Sequence, residues 1–326
     1  MLLNKLKSFS IDSLYYGMSS VISKLVGFLL VPLFTQFLSP KDYGVMTLLG
    51  FYTLFFSPIS HLGIQGAMFR FVGFSKSKQE EDIILSSAFK IVVIISFFFT
   101  LLSIIFIKPL ELFLVNSNDY TILLLTTVIF SFFSSLNQML YSYLRIKRKV
   151  KKIFYLNMVK VLISVSLSIF LVVFVGLGLS GVVYSLLFTS IFSFILLLVN
   201  VKISLFNKID FKYIKQMFNY GLPNVPKYIQ AIIMGLFGQY YIGKYLSIED
   251  LGLYAVAWKF CLPMVVVNSA ILNSWNAYKF DLHKKKSSKK VFSQFSNIFI
   301  LIPCFVFLII SIWGGDLLII FADQKF

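Results

Sequence analysis

The chain has 326 residues, 58% of them apolar and only 13% charged, with a mean hydropathy of +0.87. Soluble domains carry about 25% charged residues, so a soluble globular fold is excluded at the outset. The net charge of +17 would suggest a nucleic-acid partner in a soluble protein, but in this chain a membrane explanation comes first.

A helix needs about 20 apolar residues to cross the ~30 Å hydrocarbon core, and runs of this length are too long for barrel strands. The sequence predicts an all-α, polytopic transmembrane bundle of about nine spans: 12–37, 44–72, 83–107, 120–144, 153–176, 179–201, 217–242, 252–278 and 291–313. The first apolar run begins near Leu14 and lacks a small-residue cleavage site, so no cleavable signal is expected. After the ninth span, GDLLIIFADQKF is too short to cross again.

Alternate loops are basic. The N-terminus (Lys5, Lys7), 73–82, 145–152, 202–216 and 279–290 together hold 20 of the 30 Lys and Arg residues, against Lys41, Lys108, Lys244 and Lys325 on the other side. The positive-inside rule then predicts a cytoplasmic N-terminus and an external C-terminus in a cytoplasmic (inner) membrane. Most of the charge is thereby explained by contact with anionic headgroups, and no nucleic-acid partner is expected.

FLSPKDYGV at 37–45 is echoed by YLSIEDLGL at 245–253, an offset of 208. The same offset carries Ile83, at the start of the third span, onto Val291, at the start of the ninth. A unit of 208 residues holds six spans, and an even number returns the chain to the same side. Residues 1–208 are therefore predicted to form a six-helix half, and 209–326 the first three helices of a second, parallel-related half.

GFLLVPLFTQFLSPKDYGV (27–45), LGIQGAMFRF (62–71), YGLPNVPKYI (220–229) and YYIGKYLSIEDLGLYAVAWKF (240–260) resemble the oligosaccharide (polysaccharide repeat-unit) flippases of the multidrug/oligosaccharidyl-lipid/polysaccharide exporter superfamily. The resemblance implies flipping of undecaprenyl-pyrophosphate-linked oligosaccharide to the outer leaflet for surface polysaccharide biosynthesis. It also implies membrane lipids and other glycan-assembly proteins as partners. Family members commonly carry an Asp-Arg pair where Gln239 and Tyr240 stand, and twelve or more spans. A shorter chain is thus also readable as a truncated, non-transporting fragment, as a membrane scaffold of a glycan-assembly complex, or as a protein that works as an oligomer.

Charges inside spans are costly and mark candidate sites. Arg70, Lys90 and Lys160 lie near enough to the basic side to snorkel, whereas Lys24 and Lys227 lie deep on the leading helix of each half, and Lys259 lies inside the eighth span. Lys24, Lys227 and Lys259 are the predicted substrate-binding residues, as cations for a pyrophosphate. Gln36, Asn224, Gln230, Gln239, Asn268 and Asn273 are candidates for sugar hydroxyls, and His61 reads as a packed histidine.

All 13 acids lie in loops or at span ends, which disfavours a cation-antiporting drug exporter. Cys261 and Cys304 sit far apart in apolar stretches, implying neither disulfide nor metal. There is no GxxxxGK[ST] loop, no catalytic constellation and no cofactor signature, so an enzyme is not expected, and the short outer loops disfavour a glycan polymerase or ligase.

Overall fold

The computed structural model describes residues 18, 21–201, 209–262, 264–265 and 288–323. Lys5, Lys7, Asp12, Tyr15, Lys202, Lys208, Pro263, Asn268, Asn273, Trp275, Lys279, Lys284 to Lys286 and Lys325 lie outside the described residues.

Every element among the described residues is helical. An apolar helical segment from Val21 ends as α1 (Val31–Phe37), and α2 (Pro40–His61) follows after a short break. Next come α3 (Ile64–Gly73), α4 (Lys78–Ile105), α5 (Ile107–Val115) and α6 (Thr121–Ile146). The chain continues through α7 (Val150–Ile169), which closes in a π turn (Phe170–Phe174), α8 (Gly178–Val201) and α9 (Phe211–Gly221). The last described helices are α10 (Val225–Tyr245), α11 (Ile248–Phe260) and α12 (Ser288–Phe321).

Six helices among the described residues are long and apolar enough to cross a membrane: α2, α4, α6, α7 with its π turn, α8, and Ile300–Phe321 of α12. The first and eighth expected spans are described only in part. The seventh is α10, 21 residues long but diluted by Lys227, Gln230, Gln239 and Lys244. The second is split, because Leu62 and Gly63 take positive φ (43° and 72°) after Pro58, ending α2 and re-aiming the chain into α3. The ninth runs on to Phe321, beyond its expected end. The short loop expected between the third and fourth spans is instead the helix α5. Its fully buried Glu111 accepts the Tyr120 N–H (2.6 Å) and the Thr121 hydroxyl (2.5 Å) at the start of α6.

The two repeat segments meet each other. Ser39 and Ser247 each cap their helix by accepting the N–H of the residue three further on, Asp42 (3.2 Å) and Asp250 (2.9 Å). Gly44 then lies against the Ile248 carbonyl and Gly252 against the Pro40 carbonyl, so a Cβ on either glycine would overlap backbone of the other segment. Pro40 and Ile248, like Gly44 and Gly252, are 208 residues apart. Through this contact α11 packs along α2 more extensively than any other pair of described helices.

Near the far end of α2, Gly63 meets Gly221 equally closely. That end carries the basic loops at 73–82 and 145–152, and there Lys147 pairs with Glu81 (2.8 Å) at the start of α4. Two apolar clusters build the core. One, with Tyr43, Leu48 and Leu251, lies at the Gly44 end; the other, with Met68, Leu85 and Met217, lies at the basic end.

Candidate functional site

Between the two apolar clusters α2 turns a polar face inward. Thr53, Ser57, Ser60 and His61 recur at helical spacing, and so do Ser131, Ser134, Ser135 and Gln138 on α6. The two faces bond directly. Ser131 donates to Thr53 (3.1 Å), Ser57 to Gln138 (3.4 Å), and the Ser60 and Ser135 hydroxyls lie 2.9 Å apart. Ser96 of α4 joins through Ser135 (3.1 Å). His61, 4% exposed, has Nδ1 at 2.6 Å from the Ser57 carbonyl oxygen and Nε2 at 3.2 Å from that of Ser135. Below it, Gln65 donates to Ser142 (2.5 Å).

This face borders a cavity of about 430 Å³ enclosed by α2, the start of α3, α6 and α10. α10 contributes Tyr228, Ala231 and Ile232 to the wall. Among the described residues the lining carries hydroxyls, amides and one imidazole, but no carboxylate, lysine or arginine. A smaller, mainly apolar cavity of about 280 Å³ shares Thr53 and Leu54 and continues among α2, α6 and α8. Donors and acceptors on one wall and an aromatic ring on the other suit a neutral, hydroxyl-rich ligand.

The three lysines chosen from sequence do not gather at this cavity. Lys24 is half-buried on the helical segment before α1, next to Ser23, whose hydroxyl accepts from Asn157 of α7 (3.1 Å). Lys227 is exposed in the first turn of α10, adjacent to the cavity-lining Tyr228. Lys259 lies over the Tyr43 ring (4.5 Å) in the contact between α2 and α11. Of the amides, Asn224 donates to the Tyr220 carbonyl (2.8 Å), and Gln36, Gln230 and Gln239 are outside the cavity wall. Sequence reasoning passed over Ser131, Ser134, Ser135 and Gln138, whose i, i+3, i+4, i+7 recurrence was the available signal.

Among the described residues, a helical bundle with six helices long and apolar enough to cross a membrane, arranged around a polar cavity, is the architecture of a multi-pass membrane protein. Among solved structures the chain resembles a multidrug resistance MATE family transporter of the MOP superfamily in its inward-facing conformation, with TM-score 0.72 and 13% identity over 93% of this chain and 74% of that one. The outward-facing conformation of such a transporter gives 0.65 at 12% identity over 98% and 74%. A MOP superfamily transporter from Pyrococcus furiosus, described as having a binding pocket of reverse polarity, gives 0.63 at 13% over 98% and 74%. Curated protein sequences provide no match. Residues 33–312 match the polysaccharide biosynthesis protein family, and the chain belongs to that family.

Proposed function

We propose that the protein flips undecaprenyl-pyrophosphate-linked oligosaccharide from the cytoplasmic to the outer leaflet of the cytoplasmic membrane, for surface polysaccharide biosynthesis. The observation that carries this reading is the hydroxyl- and amide-lined cavity inside a membrane bundle of a polysaccharide biosynthesis family member. Sugar hydroxyls exchange their water partners for Ser, Thr and Gln groups there, and Tyr228 offers a ring face to the pyranose. The prenyl tail stays in lipid. Lys24, Lys227 and Lys259 supply cations along the route of the pyrophosphate, Lys227 being nearest in sequence to the cavity wall. The halves 1–208 and 209–326 rock against each other, opening the cavity alternately to either side.

The test is flipping in vesicles. Purified protein is reconstituted with a fluorescent polyprenyl-pyrophosphate oligosaccharide, and a glycan-binding lectin added outside reports its arrival. Vesicles with protein are expected to expose the inner-leaflet pool at least tenfold faster than empty ones, and Ser134→Phe, which fills the cavity, should remove the gain while melting normally. Equal rates with and without protein would overturn the proposal.

A further inference from the structure

At the basic end of the cavity one cation is held in place by an aromatic ring from another helix. The Arg70 guanidinium of α3 lies 4.5 Å from the centroid of the Tyr220 ring of α9, and Phe71 meets the same ring edge-on at 6.4 Å. The Gly63–Gly221 backbone contact fixes where this ring stands, since Tyr220 precedes Gly221. Arg70 is exposed, and among the described residues no carboxylate pairs with it.

Its position relative to the cavity follows from the helix. Gly66 borders the cavity, and Arg70 is one turn further along the same face of α3, about 6 Å along the axis. The 22 residues of α2 alone cover about 33 Å, the full hydrocarbon thickness, so α3 lies at headgroup depth. A guanidinium stacked on one face keeps its N–H edge free, and its planar fork matches two oxygens of a phosphate.

We infer that Arg70, steadied by Tyr220, is a phosphate-binding residue at the mouth of the cavity and receives the pyrophosphate of a polyprenyl-linked substrate. This deepens the flippase reading and rests on it. The same chemistry would hold a bulk anionic phospholipid, and the test separates the two.

Protein in nanodiscs of zwitterionic lipid is titrated with a short-chain polyprenyl pyrophosphate bearing no sugar, with the polyprenyl alcohol as comparison. Arg70→Ala is expected to weaken pyrophosphate binding at least tenfold, and Arg70→Lys, which keeps the charge but loses the fork, about threefold. Tyr220→Leu should act in the same direction, while Lys78→Ala, an exposed cation at the same end, leaves binding within twofold. Alcohol binding should not change. The inference is overturned if Arg70→Lys binds like the parent, if Lys78→Ala loses as much as Arg70→Ala, or if phosphatidylglycerol added to the disc competes as well as the pyrophosphate. Thermal melting of each variant accompanies the titrations, and should Arg70→Ala not fold, Arg70→Lys decides. Because the readout is binding, a protein that binds but does not flip would defeat the transport reading and leave this site standing.

Discussion

His61 sits where the polar face of α2 meets that of α6, each ring nitrogen facing a backbone carbonyl. His61→Ala removes a buried ring, whose single N–H in the neutral form donates to one of these two carbonyls, and enlarges the cavity, so it is expected to lower stability by about 1–3 kcal/mol. Denaturation in detergent would measure it, and Ser134→Ala, whose side chain is half-buried, should cost less. Packing was legible for this histidine because a lone imidazole in an apolar span must find partners among its neighbours. The serine-lined wall was less legible, because a polar helical face reads the same whether it meets another helix or a cavity. Lysines attract attention in a sequence because bare charge is costly in lipid, yet a long stem lets the head settle away from its Cα, as Lys259 does over Tyr43.

The paired glycines show how an element's direction depends on one missing side chain. Gly44→Ala or Gly252→Ala would drive a Cβ into a backbone carbonyl of the facing segment, and such overpacking costs about 1–3 kcal/mol. Gly50→Ala, also in α2 but with open space around its Cβ position, should instead gain up to about 1 kcal/mol from helix propensity. Opposite shifts in melting temperature within one helix would separate packing from propensity.

A second element-scale test concerns α9, which docks on the first turn of α4 as the Tyr213 hydroxyl donates to Glu80 (2.7 Å). That bond to Glu80 raises the Tyr213 pKa above its ordinary 10.0. Burial lowers the pKa of the nearby Lys147, but the bond and attraction to Glu81 outweigh it, leaving a net rise above 10.5. Both groups bind protons more tightly when folded, so their contribution is complete below about pH 10 and is lost as pH climbs through the raised values. Amide exchange across 211–221, corrected for its intrinsic base dependence, should therefore accelerate above pH 10, and Tyr213→Phe should weaken that dependence. Span existence was readable from apolar length alone, whereas the break at Leu62–Gly63 and the helix α5 were not. They depend on the contact with Gly221 and on the capping by Glu111, which join segments far apart or outside the spans.

At the scale of the whole molecule, the two segments that match in sequence at an offset of 208 pack on one another, with Gly44 and Gly252 in reciprocal contact. Such a pairing needs both copies to begin at the same end of the bundle, and the basic loops at 73–82 and 145–152 then belong to the opposite end. Moving a Lys or Arg cluster across the membrane is opposed by its hydration and by the anionic inner headgroups, so these loops should face the cytoplasm. Orientation can be measured in a background where Cys261 and Cys304, the two native thiols, are replaced by alanine. With Lys76→Cys and Lys149→Cys, a membrane-impermeant maleimide should label only after the cells are opened. With Asn118→Cys, in the turn between α5 and α6, it should label intact cells. Labelling of Lys149→Cys from outside would reverse the orientation, and with it the side from which the proposed substrate reaches the cavity.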